Sequence, residues 1–451
     1  MASPLYLAFC GIAVLTLKEL NSWVTEPYMD EPFHIPQAQA YCRGEWTSWD
    51  PKITTPPGLY LLSLVLQKLF MLRCTLPMLR LTPLLSLLCL PLALNKLLSL
   101  HQRQPDHNNL LSPSSESIIV ASFPIAWFFG FLYYTEVPSL VSVLTTVVCA
   151  WNGDHGLAAL VGFISCWFRQ TNIIWVLYAY AYSQLALLRF QPTSEPKRLH
   201  DPMSLSASPG DLWKALVSIP RVIPVILPNF GPYALLLAAF VGFLFVNGGI
   251  VLGDKSNHVP VLHIPQMYYF FAFATAFGWP ILFANGHKHL RREVFSRMFG
   301  NKSRTAATIV ITILVAGTIQ RYTIHHPFLL SDNRHYTFYV WQRIFRRHPV
   351  IPILVAPVYV ICAVAWFVRI GEDQTLLQTL VLPAALVPTL LPTPLLEPRY
   401  FLIPYILLRC QVTSKSRWGL VIEGAWYSVI NLATMWVFLY MERPGVGRFM
   451  W

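Results

Sequence analysis

The chain has little charge for its length. Only 12% of its 451 residues are charged, whereas 55% are hydrophobic, and a soluble protein has roughly twice that charged fraction. Apolar runs about as long as a bilayer is thick recur from one end of the chain to the other. A transmembrane β-barrel would instead show alternating segments of about ten residues. We therefore predict an all-α polytopic membrane protein with about 13 (12–14) transmembrane helices.

The sequence also lacks the common nucleotide and metal motifs. It contains no GxxxxGK[ST], GxGxxG or HExxH string and no Asp-x-Asp pair, which disfavours a metal-dependent enzyme that uses a soluble nucleotide sugar. None of the eight cysteines forms a Cys-x-x-Cys motif, so neither a zinc site nor a disulfide framework is indicated. Cys42 and Cys74 could meet on one side of the membrane, but free thiols are the favoured interpretation.

The apolar runs give a set of candidate spans. They lie at 4–20, 79–100, 117–134, 137–151, 155–168, 171–190, 232–252, 264–284, 306–322, 349–369, 374–392, 400–411 and 419–440. Residues 4–20 are interpreted as a retained span, because no basic region precedes them and no small-residue cleavage site follows. Residues 57–72 and 213–229 are ambiguous. The whole chain, 1–451, is predicted to be a single membrane domain, because no loop is long enough to form its own core.

The net charge of +12 comes largely from short loops beside the spans. Residues 189–200, 285–305 and 413–418 are basic, and the positive-inside rule places them in the cytosol. If 57–72 lies along the membrane surface, the loops with unusual polar chemistry all fall on the opposite side. We adopt that topology. It predicts a first non-cytosolic loop at 21–78, a cytosolic linker at 191–212, a basic cytosolic loop at 285–305, and a non-cytosolic loop at 323–348.

The first non-cytosolic loop combines carboxylates, aromatic rings and amides. Carboxylates can accept a proton from a sugar hydroxyl, and aromatic faces pack against pyranose rings. The alternative is that the acids are solvated and the tryptophans form an interfacial belt. The candidates for catalysis are Asp30 and Glu31, and those for acceptor or sugar binding are His34, Gln37, Trp49, Asp50, Glu136, Asp332 and Tyr336.

Cationic residues occur in other loops assigned to the same side. Arg334 and His335 lie in DNRHYTFY, and Arg169 and Arg399 lie near span ends. Such groups suit the phosphate of an anionic lipid, although interfacial arginines can also simply snorkel. Lone histidines such as His258 and His263 are expected to be structural.

One reaction fits these two sets of residues. A sugar linked to a lipid phosphate would bind with its phosphate on arginine and histidine. An acceptor hydroxyl, deprotonated by Asp30 or Glu31, would attack the anomeric carbon. Because phosphate is already a good leaving group, neither a metal nor another cofactor is expected. Asp30 is favoured over Glu31 as the base.

Seven segments also carry a family pattern. They are YMDEPFHIPQAQAYC (28–42), WDPKITTPPGLYL (49–61), FLYYTE (131–136), FRQTNIIWV (168–176), VNGGIVLGD (246–254), LSDNRHYTFYVWQR (330–343) and EPRYFLIPY (397–405). Together they resemble the dolichyl-phosphate-glucose-dependent α-1,2-glucosyltransferases of the endoplasmic reticulum, which have the GT-C membrane glycosyltransferase fold. The LSDNRHYTFYVW string is the most specific, whereas an Asp–Glu pair recurs across GT-C enzymes.

The resemblance implies an activity, a location and partners. The family adds the third and last glucose to the lipid-linked oligosaccharide used for N-glycosylation, on the luminal face of the endoplasmic reticulum membrane. Its donor is β-linked dolichyl phosphate glucose and its product is α-linked, which implies a single displacement with inversion. It also implies that the catalytic acid lies in the first luminal loop, which contains Asp30 and Glu31, and that a membrane-surface helix follows.

Two other functions stay open at this point. A GT-C mannosyltransferase would use dolichyl phosphate mannose, and physical arguments alone do not separate the two sugars. A transporter or flippase is the non-enzymatic alternative, but it would place ionisable residues near the bilayer midplane. Nucleic-acid binding is not indicated, because the basic residues suit the anionic headgroups of the endoplasmic reticulum membrane lipids.

Overall fold

The computed structural model describes residues 2–104, 109, 111–190, 199–255, 259–326, 329, 333–413, 415–449 and 451. The described residues form α-helices joined by loops and short 3-10 turns, without a β-sheet among them. In chain order the helices are Pro4–Trp23 (α1), Glu31–Cys42 (α2), Gly58–Phe70 (α3), Leu76–Leu79 (α4), Leu81–Gln102 (α5), Ser115–Ala121 (α6), Pro124–Phe129 (α7), Glu136–Trp151 (α8), His155–Cys166 (α9), Asn172–Phe190 (α10), Pro209–Ile226 (α11), Gly231–Asn247 (α12), Pro265–Leu282 (α13), His287–Phe299 (α14), Lys302–Tyr322 (α15), Tyr336–Arg343 (α16), Ile351–Leu354 (α17), Ala356–Gly371 (α18), Leu376–Leu390 (α19), Leu402–Cys410 (α20) and Arg417–Tyr440 (α21).

The predicted membrane character is confirmed by these helices. Over the described part of the chain, seven helical segments are long and apolar enough to cross a membrane. They are Pro4–Trp23, Leu76–Gln102, Asn172–Phe190, Pro209–Asn247, Lys302–Tyr322, Ile351–Gly371 and Arg417–Tyr440. Four further apolar helices are shorter, among them Gly58–Phe70 and Glu136–Trp151. The count of about 13 spans stays a prediction.

The chain folds into two compact units. Unit 1 comprises 1–191, 223–259 and 431–440, and unit 2 comprises 192–222, 260–430 and 441–451. Helices α11 and α21 each contribute residues to both units. The sequence predicts a single membrane domain, because no loop is long enough to form its own core.

In unit 1, the first loop begins and ends at the same end of the helix bundle. Helix α1 begins with Ser3 as its N-cap, whose hydroxyl accepts from the Tyr6 N–H at 3.2 Å, and it ends at Trp23. Arg80, just before α5, donates to the Val24 carbonyl at 2.7 Å. Because α1 enters this end and α5 leaves it, α3 has no need to cross the bundle. That geometry agrees with a surface position for 57–72, although its place relative to a bilayer stays a prediction.

The predicted span 117–134 is interrupted in the structure. Helix α6 ends at Ala121, and α7 begins at Pro124, whose ring suits the first turn of a helix and cannot extend the preceding one. Residues 130–135 then continue without helix, although Phe131, Leu132 and Tyr133 are fully buried. This buried irregular segment contributes directly to the candidate site.

In unit 2, the helices alternate between two ends. At one end, Ser204 N–H donates to the Gln374 carbonyl at 2.9 Å. At the other, His263 N–H donates to the Leu391 carbonyl, also at 2.9 Å. Helix α19 runs from the first end to the second, and α15 joins α14 to the segment that contains α16.

Three local expectations differ from the structure. Residues 285–305, predicted as a loop because of their charge, are mostly helix α14, since Leu, Arg, Glu and Met are good helix formers. Within the predicted linker 191–212, residues 199–206 pack inside unit 2, where the Arg297 guanidinium donates to the Leu205 carbonyl at 2.8 Å. The expectation of free thiols at Cys42 and Cys74 is wrong, because the two form a disulfide. Nothing in their spacing of 32 residues indicates it.

Candidate active site

Asp30 lies at the start of α2, at the end of unit 1 where the polar loops meet. It is the N-cap residue of this helix, but its side chain makes no capping hydrogen bond. Its backbone N–H donates to the Tyr134 hydroxyl at 2.9 Å. The residue is half-buried. The preceding residue, Met29, has φ +58°, a left-handed conformation that costs a non-glycine residue about 1–2 kcal/mol and turns the chain sharply into α2.

Glu31 is buried and fully engaged by donors. Its side chain and that of Arg80 are both 0% exposed. One carboxylate oxygen accepts from Arg80 Nε at 2.9 Å and the Tyr133 N–H at 2.7 Å. The other accepts from Arg80 Nη2 at 2.5 Å and the Tyr28 N–H at 3.0 Å. A bidentate guanidinium and two backbone N–H groups thus occupy both oxygens of this carboxylate.

The two adjacent carboxylates therefore have different surroundings. A hydroxyl of an acceptor has no route to Glu31 without displacing Arg80 or a backbone donor. Asp30 lies at the same turn and is half-buried.

Arg80 and the segment 133–135 complete this cluster. Besides Glu31, the Arg80 guanidinium donates to the Asn21 side-chain oxygen at 3.1 Å. Tyr133 N–H contacts Glu31, and the Tyr134 hydroxyl contacts Asp30. These interactions join the end of α1, the start of α5 and the irregular segment after α7 around one pair of acids.

Glu136 and Arg169 form a neighbouring ion pair. Arg169 Nη2 donates to Glu136 Oε1, and Arg169 Nε lies 3.4 Å from the Thr135 hydroxyl. The Glu136 side chain is 1% exposed and that of Arg169 is 18% exposed. Part of the Arg169 charge is thus matched by Glu136 within the protein.

His34 lies one turn after Asp30 on α2. Its Nδ1 is 2.6 Å from the Tyr60 hydroxyl, and its ring centroid is 6.2 Å from that of Tyr134. The Tyr134 hydroxyl in turn accepts from the Asp30 N–H. The structure therefore brings His34 to the same cluster as the acids, and its role in acceptor binding stays a prediction.

Gln37 and Asp50 organise the rest of the loop. Gln37 Nε2 donates to the Ser48 carbonyl at 2.7 Å, and its Oε1 accepts from the Asp50 N–H at 2.9 Å. Both ends of this amide therefore make hydrogen bonds within the loop. Asp50 Oδ1 accepts from the Lys52 N–H at 2.9 Å. Trp49 is half-buried against the core of the loop.

Three further polar segments of unit 1 meet this loop. Gln170 Nε2 donates to the Thr54 carbonyl at 2.8 Å. Asp254 N–H donates to the Pro51 carbonyl at 2.7 Å. Segments 133–136, 168–172 and 247–254 thus gather around residues 28–58, at one end of the unit, in agreement with the predicted segregation of polar loops.

We expect Gly253→Ala to displace the 247–254 segment. Gly253 has φ +62°, and a Cβ there would lie 2.7 Å from the Ile53 carbonyl oxygen and against the Pro51 carbonyl as well. Gly44 offers a matched control, since it has φ +84° with nothing within 4 Å of the added Cβ. Both substitutions bear the left-handed cost of about 1–2 kcal/mol, but only Gly253→Ala adds a clash. Thermal unfolding in detergent should show the larger loss for Gly253→Ala; equal losses would contradict the packing described.

In unit 2, the candidate residues 334–336 pack against the C-terminal residues. His335 Nδ1 lies 2.6 Å from the Trp451 O; because that oxygen only accepts, Nδ1 carries the hydrogen. The Tyr336 ring is 4.7 Å from that of Trp451 and 4.3 Å from that of Phe449. Arg443 also contacts this segment, because its guanidinium donates to the Asn333 carbonyl at 3.0 Å.

The remaining predicted residues differ in their burial and in their partners. Arg399 pairs with Glu397 beside it, and both side chains are about one-fifth exposed. His263 is fully buried, and burial lowers its pKa to about 4. It therefore stays neutral, in agreement with a structural role. Asp332 and His258 lie outside the described residues.

Several residues that shape the site carry little signal in the sequence. Arg80 stands at the end of an apolar run, where an arginine ordinarily snorkels to the surface. Tyr133 and Tyr134 lie within a predicted span. Tyr28 contributes through its backbone, which no side-chain pattern can indicate.

Comparison with known proteins gives a consistent match. Residues 24–410 match the DIE2/ALG10 family. Proteins named Dol-P-Glc:Glc(2)Man(9)GlcNAc(2)-PP-Dol alpha-1,2-glucosyltransferase are similar over nearly the full chain. The Mus musculus protein is 34% identical over 98% of this chain and 96% of its own length. A Homo sapiens protein is 32% identical over the same shares.

The similarity extends beyond mammals. The Drosophila melanogaster protein of the same name is 36% identical over 92% of this chain and 90% of its own length. No solved structure matches the chain. Because the family match covers most of the chain and these relatives are aligned almost end to end, the chain belongs to the DIE2/ALG10 family.

Proposed function

We propose that this protein transfers glucose from dolichyl phosphate glucose to the diglucosylated lipid-linked oligosaccharide Glc(2)Man(9)GlcNAc(2)-PP-Dol, forming the terminal α-1,2 linkage. The observation that carries the proposal is the alignment, over more than nine-tenths of the chain, with relatives named for that reaction. The partly accessible Asp30 among polar loops at one end of unit 1 supplies a chemically suitable site.

The reaction proceeds as one displacement with inversion at the anomeric carbon. Asp30 accepts the proton of the acceptor hydroxyl, whose oxygen forms the new bond to that carbon. The bond from the anomeric carbon to the phosphate oxygen breaks, and dolichyl phosphate leaves with its electrons. Because the leaving group is already an anion, we propose that no metal is required.

Asp30 is proposed as the base rather than Glu31. Four donors occupy the two oxygens of Glu31, and two of these donors belong to Arg80. Protonating that carboxylate would leave a buried guanidinium without its partner, which costs several kcal/mol. Glu31 and Arg80 are thus positioning residues that fix the turn on which Asp30 stands.

We propose a GT-C architecture of about 13 spans in the endoplasmic reticulum membrane, with the site facing the lumen. The disulfide Cys42–Cys74 in the first loop supports the luminal side, because disulfides persist in oxidising compartments. In unit 2, the basic helix α14 lies at the end opposite to α16, which agrees with a cytosolic α14.

The experiment that tests the activity compares two donors. Purified protein in detergent receives the diglucosylated acceptor with either dolichyl phosphate glucose or dolichyl phosphate mannose, each with and without EDTA. We expect one added hexose with the glucose donor alone, at a rate unaffected by EDTA. Transfer from the mannose donor would favour the mannosyltransferase alternative, and absence of transfer from either would contradict an enzymatic function.

Arg334 and His335 in unit 2 are proposed to bind the donor phosphate, and Arg169 and Arg399 are the weaker candidates. Trp451→Ala should then raise the KM for dolichyl phosphate glucose several-fold, because it removes the ring that packs against Tyr336, next to His335. Val446→Ala, in an exposed turn of the same tail, is the control. An unchanged donor KM in Trp451→Ala would place donor binding elsewhere.

A further inference from the structure

A second basic surface lies just beyond the proposed donor segment in unit 2. Helix α16 ends at Arg343, a 3-10 turn follows at Phe345–Arg347, and the span that begins with Ile351 comes next. Arg343, Arg346 and Arg347 are all exposed. We call these three residues the 343–347 basic patch.

No carboxylate neutralises the patch within the described part of the chain. None of the three arginines has an acidic group within 4.0 Å there. Arg346 Nη1 donates to the neutral Gln342 side chain at 3.2 Å, and the Arg343 guanidinium lies 5.6 Å from the centre of the Tyr339 ring. From residue 333 to residue 371 the sequence has no acidic residue. Three positive charges therefore face outward together.

The neighbouring side chains place the patch at a membrane boundary. Ile344 is 50% exposed, Val350 is 42% exposed and Leu354 is 67% exposed. Exposed apolar residues interleaved with arginines are typical of the level at which lipid phosphates lie. The span Ile351–Gly371 starts immediately afterwards.

The positive-inside rule does not account for this charge. Helix α14, with Arg291 and Arg292, is joined to the segment containing the patch by the 21-residue helix α15. The two basic regions thus lie at opposite ends of unit 2. The positive-inside rule concerns only the cytosolic end, so it explains the charge of only one region. Uncompensated arginines at the other end indicate an anionic ligand.

We propose that the 343–347 basic patch binds the diphosphate of the lipid-linked acceptor at the membrane surface. Guanidinium groups make bidentate hydrogen bonds to phosphate oxygens, and three of them match a diphosphate better than a phosphate monoester. The proposal rests on the proposed function for the identity of the acceptor. It separates anchoring of the acceptor lipid from the chemistry at Asp30.

A binding measurement tests the patch independently of turnover. Purified protein is titrated with a prenyl diphosphate and, in competition, with the corresponding prenyl monophosphate. We expect the double substitution Arg346→Gln and Arg347→Gln to raise the Kd of the prenyl diphosphate at least five-fold. The matched control, Arg291→Gln with Arg292→Gln, removes the same charge from exposed sites at the other end and should leave that Kd unchanged. Because no sugar is transferred, this result stands even if the proposed glucosyl transfer fails.

Kinetics then connects binding to the acceptor. The patch variant should raise the KM for the lipid-diphosphate acceptor, without changing the KM for the same glycan released from its diphosphate or the KM for the donor. Equal Kd values for the patch and control variants would overturn the proposal. So would competition by the monophosphate as strong as that of the diphosphate, or a dependence of the effect on anionic phospholipid content, which would assign the patch to bulk lipid.

Discussion

Asp30→Asn is expected to lower the turnover number by about 100- to 10,000-fold, the range that a positioned general base contributes. The substitution removes the basic oxygen while keeping nearly the same shape. The backbone N–H of residue 30 still donates to the Tyr134 hydroxyl, so the folded structure should persist. The measurement is the rate of glucose transfer at saturating donor and acceptor, together with the elution profile and thermal midpoint in detergent.

The control for this substitution lies in the same loop. Glu45 is exposed and pairs with Arg43, so Glu45→Gln removes a loop carboxylate without touching the cluster around Asp30. It should transfer glucose at the normal rate. Near-normal turnover in Asp30→Asn, combined with its loss in a folded Glu31→Gln protein, would reverse the assigned roles of the two acids.

Arg80→Met is expected to reduce the stability of the fold by about 3–5 kcal/mol, the usual cost of removing one member of a buried ion pair. It leaves Glu31 charged at a site with no exposed surface and takes away the donor to the Val24 carbonyl. The measurement is the thermal or denaturant midpoint of the purified protein in detergent. Activity should fall too, because the turn that carries Asp30 loses its anchor.

Two companion variants sharpen that experiment. Arg43→Met breaks an exposed pair with Glu45, and solvent-exposed ion pairs contribute little, so its midpoint should hardly move. Adding Glu31→Gln to Arg80→Met should recover part of the lost stability, because it removes the unpaired buried charge while keeping an acceptor for the Tyr133 N–H. An Arg80→Met midpoint equal to that of Arg43→Met would show that the buried pair does not support the site.

The sequence predicts the helices well where the apolar pattern is continuous. Helices α1, α5, α10 and α15 begin and end within a few residues of the predicted spans. It also predicts that α3 is a helix in the first loop. These features depend on local composition, which a single sequence contains in full.

The features that the sequence misses depend on tertiary contacts. Pro124 favours the interruption of 117–134. The buried irregular segment that follows depends on tertiary contacts, because Glu31 accepts from the Tyr133 N–H and the Asp30 N–H donates to the Tyr134 hydroxyl. The Arg80–Glu31 pair joins residues 49 positions apart, and no spacing rule indicates such a partner. The same is true of the Cys42–Cys74 disulfide.

For the candidate site, the sequence favours Asp30 over Glu31 as the base but does not indicate how their surroundings differ. That difference depends on tertiary contacts, because Arg80 and two backbone N–H groups occupy both oxygens of the buried Glu31, whereas Asp30 is half-buried. Similarly, Gln37 is suited by type to a sugar hydroxyl, but both ends of its amide bind the loop.

Linkage analysis of the product tests the central claim most directly. The purified protein is incubated with dolichyl phosphate glucose and the diglucosylated lipid-linked acceptor, and the released glycan is examined for mass, anomeric configuration and linkage. We predict one added glucose in an α-1,2 linkage, absent when Asp30→Asn replaces the unmodified protein. A β-linked product, another linkage, or equal product formation by Asp30→Asn would contradict the account.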